Sequence, residues 1–306
     1  LLRLIPAALA ALFALLALPV EALAWGGGMH LKIGLEVLEH LHLLPAAVAA
    51  PIAACPRDFL YGCLSADITL GKKFTHYLLN CHRWGIGRKV LQSARTPGET
   101  ACAYGYLCHL AADVIAHNCF VPYKIMQAFP TVTMKHAYWE MRFETFISKE
   151  VWETARDVCH SDQRANDVLL RSVLAPTIFS FGVNKRIFNS IMLLSRLERW
   201  QRVMQTLSDT SRYLLTDEEF GEYYWLAREA ALDFMQAPEE SDLLMADPIG
   251  EQALAMAEAM RRNLRILYKS GRITKEDGLQ QVDNTRQKLK QALHDSSLMG
   301  ELYSGR

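Results

Sequence analysis

The chain has 306 residues, of which 51% are hydrophobic and 22% charged, a composition that supports a sizeable core and excludes a disordered polymer. Lys plus Arg and Asp plus Glu each number 33, so no overall field draws the chain to nucleic acid. Histidine is unevenly placed: nine of the ten lie before Ser161, and His294 alone lies after it.

Residues 1–24 read as a secretory signal to be excluded from the fold. Arg3 gives a short positive start, residues 4–20 are almost continuously apolar, and Glu21-Ala22-Leu23-Ala24 ends in a small-x-small pattern. The alternative is a membrane-anchoring helix, for which this stretch is barely long enough and is interrupted by Pro6 and Pro19. No Cys follows the cleavage region, which argues against a lipoprotein anchor. Cleavage after Ala24 would send the protein to the periplasm or outside the cell with Trp25 as its first residue. The loss of Arg3 and Glu21 would keep the charges balanced.

The segment Trp25-Gly26-Gly27-Gly28-Met29-His30 follows, with glycines that let the chain turn back toward the core. A helix is expected over 30–44, with Leu31, Leu35, Leu38 and Leu41 roughly along one side and Pro45 ending it. His40 and His42, near its end, read as surface groups or partners of the helix dipole. Residues 51–73 mix short helical pieces with turns, and Asp67 in Ser65-Ala66-Asp67-Ile68 is a carboxylate in apolar surroundings, costly unless paired or metal-bound. His76 and His82 follow, the latter before a helix expected over 84–94.

Thr96-Pro97-Gly98-Glu99 starts the next helix, with Thr as cap, Pro at the first position and Glu three after the cap. Continued to about Asn118, that helix turns His109, Asp113 and His117 to one side, since each step of four residues drifts by only about 40°. After a break at Phe129-Pro130-Thr131, another helix carries His136 and Glu140, again four apart. Imidazole and carboxylate together on one face are ligands for a borderline metal such as zinc. Polar residues without a metal would account for one such pair, but not readily for five within 107–140.

Beyond Val151 several more helices are expected. Thr216-Asp217-Glu218-Glu219 is a capping box, residues 238–242 form an acidic linker, Pro248 and Gly271 separate later helices, and 274–295 is a charged amphipathic helix with a solvated face. His160 reads as a surface residue. Strand signals are almost absent, so the fold class is all-α. Seven Cys without any C-x-x-C argue against a thiolate site and read as small packing residues, with room for one or two disulfides after export.

In their order (Trp25, His30, Asp67, His82, His109-x-x-x-Asp113, His117, His136-x-x-x-Glu140) these residues resemble the zinc-dependent phospholipase C family. The same fold includes single-strand-specific zinc nucleases and the catalytic domain of glycosylphosphatidylinositol-specific phospholipase D. The resemblance covers residues 25–152 and leaves 153–306 as a helical extension, packed on the core or serving as a lid. It favours His82 over His76, because a Trp and a helix follow His82 as in the lipid-hydrolysing relatives. Glu140 matches the phospholipases, whereas the nucleases carry Asp there.

The resemblance implies three zinc ions. One would take Asp67, His82, His109 and Asp113; a second His117, His136 and Glu140; a third the amine and carbonyl of Trp25 with His30 and the bridging Asp113. It also implies that Asp67 serves as general base and that a metal-bound hydroxide attacks phosphorus in line. The expected activity is phospholipase C-type hydrolysis of phospholipid by a secreted phosphodiesterase, with membrane-surface contact and no stable nucleic-acid binding. The rivals are a single-strand nuclease or nucleotidase of the same fold and a non-enzymatic, metal-stabilised helical module of the envelope.

Overall fold

The computed structural model describes residues 25–69, 80–131, 136–175, 179–195 and 215–293, together with 295 and 298. The expected signal at 1–24, His76 and His294 fall outside the described residues, as do the side chains of His136 and Glu140. Every regular element among the described residues is helical. In chain order they are α1 (Gly27–Glu39), α2 (Ala46–Ala54), α3 (Pro56–Ser65), α4 (Trp84–Ser93), α5 (Pro97–Ile115), α6 (Val121–Gln127) and α7 (His136–Glu144). Then follow α8 (Lys149–His160), α9 (Arg164–Val173), α10 (Phe181–Ser195), α11 (Asp217–Gln236), α12 (Glu251–Lys269) and α13 (Lys275–Ala292).

Helix α5 is the axis of the molecule. It starts where the sequence says it should: Glu99 N–H donates to Thr96 Oγ1 (3.2 Å) and Thr96 N–H donates back to Glu99 Oε2 (3.1 Å), so two orphan donors are satisfied. From Ala101 to Ile115 every residue but Tyr104 is buried, because α1, α2, α3, α4, α9 and α11 all pack around it. A helix apolar on all sides is stable only when enclosed in this way. The tightest crossing is with α3, where two glycines meet. A Cβ on Gly62 would stand 2.0 Å from the Cys102 carbonyl oxygen, and one on Gly105 would stand 2.0 Å from that of Phe59. Only backbone fits between the two helices there.

The expected unbroken helix to Asn118 does not form. α5 ends at Ile115, and Ala116–Phe120 make a single π-helical turn before α6 begins. Pro122 supplies the reason: it has no N–H for the carbonyl four residues back, that of Asn118, and its ring crowds that carbonyl, so the ladder widens ahead of it. α1 also differs from expectation, starting at Gly27 and ending at Glu39, with a short 3₁₀ turn at Leu41–Leu43.

Helices beyond Trp152 share the core of the first half: α11 lies on α5, α12 on α6, and α13 on α6 and the π turn. Leu170, Tyr223, Ala227, Leu264 and Leu289 belong to the same buried cluster as Phe59 and Leu110. α11 and α13 carry the capping boxes of Thr216 with Glu219 and Thr274 with Asp277. Glu219 also takes the ammonium of the fully buried Lys124 on both carboxylate oxygens at 2.7 Å, tying α6 to the start of α11. No disulfide forms among the described residues. No described helix is long and apolar enough to cross a membrane.

Candidate metal centre

The α3–α5 crossing sets one imidazole. With Gly62 against Gly105, the Cys63 carbonyl lies beside α5 and accepts a hydrogen bond from His109 Nδ1 at 2.8 Å. A carbonyl only accepts, so His109 carries its proton on Nδ1 and turns the lone pair of Nε2 inward. That Nε2 is 3.2 Å from Asp113 Oδ2, one helical turn on, and 3.2 Å from His82 Nε2. α3 then runs into a 3₁₀ turn, Ala66–Ile68, which brings Asp67 Oδ1 to 3.2 Å from His82 Nε2. His82 Nε2 also lies 3.3 Å from Asp113 Oδ2. From the opposite side, His30 in the first turn of α1 stacks on His109 with ring centroids 3.6 Å apart and places Nε2 3.3 Å from Asp113 Oδ1. The two oxygens of Asp113 thus face different neighbours, Oδ1 toward His30 and Oδ2 toward His82 and His109.

All five residues are buried, none more than 3% exposed. Neither Asp113 oxygen accepts an aligned hydrogen bond, despite three imidazole nitrogens within 3.3 Å. An anion fully enclosed without aligned donors is costly unless a cation compensates it. Burial alone would raise the Asp113 pKa, but facing His109 and His30 it is held well below the usual carboxylate range. The imidazoles diverge: burial and His109 push His30 down, whereas Asp113 and Asp67 outweigh burial and push His109 up. Among the described residues two buried groups of donors each bring their ligand atoms within 4.8 Å of one another, namely His30, His109 and Asp113, and Asp67, His82 and His109, and a third, partly exposed group is Glu36, Glu39 and His40 at the end of α1. Imidazole nitrogen with carboxylate oxygen is a donor set suited to zinc. The residues present fit the metal.

His117 stands apart from these two groups. Its ring is nearly buried in the π turn, and its Nδ1 donates to the Pro248 carbonyl at 2.5 Å. His136 opens α7 and Glu140 lies one turn further along it. Trp25 is fully buried just ahead of α1, its ring 5.2 Å from that of Phe143 on α7. His40 caps the end of α1 with Nδ1 on the Glu36 carbonyl, and Arg228 occupies both its Nε2 and the Glu36 carboxylate. His160 is an exposed C-terminal residue of α8 bonded to the Arg156 carbonyl.

Glu144 is the residue that sequence reasoning missed. It lies one turn beyond Glu140 on α7, and its carboxylate accepts from the N–H groups of Gly28 and Met29, both at 3.0 Å. The cap residue of α1, Gly26, has no side chain to satisfy these donors, so α7 supplies the cap from outside. A Cβ on Gly26 or Gly28 would stand within 2.6 Å of the Glu144 side chain. The glycines are therefore there to admit a carboxylate, more than to turn the chain. The residue keeps some exposure, but its carboxylate is enclosed, and burial raises its pKa to about 7 against the pull of the two N–H groups. The spacing His136, Glu140, Glu144 was the available signal.

Residues 29–175 match the model of a family described as zinc dependent phospholipase C. The matched span passes Trp152 and takes in α8 and α9. No curated protein and no solved structure matches the chain.

Proposed function

We propose that the chain is a phosphodiesterase that hydrolyses phospholipid in the manner of a phospholipase C, on the match of residues 29–175 to the model of the zinc-dependent phospholipase C family. The observation that carries this reading is the buried cluster of His30, Asp67, His82, His109 and Asp113, a donor set with two anionic oxygens aimed at different imidazoles. Three zinc ions would be held: one by Asp67, His82, His109 and Asp113, a second by His117, His136 and Glu140, a third by the amine and carbonyl of Trp25 with His30 and Asp113. Bound zinc supplies Lewis acidity toward a phosphoryl oxygen and a lowered pKa for water.

The chain's own residues do the rest. Asp113 would offset the positive charge of zinc held between His30 and His82, and its place in the rigid α5 fixes both carboxylate oxygens. Asp67 acts as general base, taking the proton of the attacking water at its carboxylate. Cys63, through its carbonyl, keeps the His109 Nε2 lone pair pointed into the cluster. Export with cleavage after Ala24 would free the Trp25 amine, and residues 25–152 would carry the metal ligands with 153–306 as a helical extension packed on them, working at a membrane surface.

Zinc-loaded mature protein incubated with phosphatidylcholine vesicles, and separately with single-stranded DNA, tests this reading. Release of diacylglycerol with a phosphorylated headgroup is expected. Nucleotide release instead would move the chain to the nucleases of the same fold, and no product from either substrate would leave a metal-stabilised module.

A further inference from the structure

We infer that residues 246–250, beyond the span matched to the family, are the positioning strap of His117; this rests on the proposal that His117 is a zinc ligand. Three successive carbonyls of this segment each take a side-chain donor from the matched region. Trp84 Nε1 donates to the Ala246 oxygen at 2.8 Å, Asn118 Nδ2 to that of Asp247 at 2.9 Å, and His117 Nδ1 to that of Pro248 at 2.5 Å. Asn118 also donates to the Val114 carbonyl at 3.0 Å, so it fastens the strap to the end of α5.

The strap is closed by its own backbone. Gly250 N–H donates to the Asp247 carbonyl at 2.8 Å, and Ile249 N–H donates to Asp247 Oδ1 at 3.2 Å. Gly250 has φ of +64°, in the left-handed region, and a Cβ there would lie 2.4 Å from the His117 carbonyl oxygen and 2.5 Å from the His117 Cβ. Glycine is therefore required twice at this position, for its backbone angle and for the approach.

The chemistry follows from the acceptor. The Pro248 carbonyl oxygen can only accept, so the hydrogen bond fixes the Nδ1–H tautomer of His117 and makes Nε2 the ligand atom. Metal-binding histidines are generally oriented by such a bond on the other ring nitrogen, and loss of the partner costs about 10–100-fold in metal affinity. His109 has the same device within the matched span, with the Cys63 carbonyl as acceptor. The extension is thus part of the metal centre's support and not only a cover over it.

The test uses the full chain with ¹⁵N-labelled histidine, read by NMR of the ring nitrogens before and after zinc alone is added. In the unsubstituted protein His117 is expected as the Nδ1–H tautomer without zinc, with its Nε2 signal moving when zinc is added. Gly250→Ala should displace the strap, mix the His117 tautomers and weaken zinc at that ring about 10–100-fold, while the His82 and His109 signals keep their zinc response. Trp84→Phe keeps an aromatic ring against Phe234 but removes the Ala246 anchor, and gives the same change in milder form if Gly250→Ala does not fold. A folded variant of either kind with an unchanged His117 tautomer and unchanged zinc affinity would overturn the strap and leave the metal reading standing. A His117 ring that ignores zinc in the unsubstituted protein would overturn both.

Discussion

His109 and His117 lie eight residues apart, yet their rings are held from very different distances along the chain. His109 bonds to Cys63, 46 residues away, across a crossing of two helices locked by Gly62 and Gly105. His117 bonds to Pro248, 131 residues away, on a short strap. Around His109 the neighbouring donors come from α1, from α5 itself, from one 3₁₀ turn and from the short turn that leads into α4. Around His117 the helix has already widened into a π turn, and the ring faces a loop. The difference teaches that one half of the proposed centre is fixed by helix packing and the other by a tether, so the two halves should fail separately.

Asp113→Asn should produce the largest effect and confine it to the packed half. An amide supplies neither the second anionic oxygen nor the charge that would offset bound zinc beside His30 and His82, so zinc should be lost there and hydrolysis should fall by about 10²-fold or more, the scale of losing a transition-state stabiliser. α5 should persist, because Asn for Asp changes helix propensity little. Elemental analysis with circular dichroism checks this. Full zinc content with near-normal hydrolysis would make the carboxylate structural.

Gly105→Ala attacks the same half through its scaffold. The added methyl would meet the Phe59 oxygen at 2.0 Å and the Cys63 nitrogen at 2.8 Å, both backbone, so the helices must separate. We expect a loss of about 1–3 kcal/mol in denaturant unfolding, the usual cost of overpacking, with a weakened His109–Cys63 bond and an intact His117 tautomer. Equal damage to both rings would erase the distinction between the halves.

Glu144→Gln should have the smallest effect and acts on the link between the halves, since Glu144 sits on the helix of His136 and Glu140 yet caps the helix of His30. Its carboxyl pKa, about 7 in the fold, stands above the ordinary 4.5 because burial outweighs the two backbone donors. The folded protein therefore holds a proton between those values that the unfolded chain has lost. This stabilising contribution is full below about pH 4.5 and disappears as pH rises through about 7. In the metal-free protein, Glu144→Gln should flatten the fall in melting temperature over that window. An unchanged pH slope would show that Glu144 is already ionised throughout it.

What the sequence disclosed was local. The Thr96, Thr216 and Thr274 caps mark their helix starts in the residues themselves, and the four-residue spacing of His109 and Asp113 places both on the buried axis helix. The π turn went unread, since an unbroken helix to about Asn118 was expected: Pro122 breaks the ladder but does not say which way it relaxes. Glu144 was hidden because its partners are the backbone N–H groups of Gly28 and Met29, more than a hundred residues away. Pro248 was hidden further, because a carbonyl oxygen belongs to every residue and leaves no trace in residue type. Cys108 and Cys119, which neighbour His109 and His117 along the chain, are buried packing residues.

The distance from His117 to Pro248 also sets an order of events during biosynthesis. A chain that emerges amino end first has His30, Asp67, His82, His109 and Asp113 all exposed before the strap exists. At about 5–20 residues per second, the 131 residues from His117 to Pro248 take on the order of ten seconds to make. For that interval the nascent polypeptide can close the α3–α5 crossing and collect its first donors, while the His117 ring has no acceptor to fix its tautomer. On the proposed ligand set, maturation of the centre is therefore sequential, with the tethered half waiting on translation.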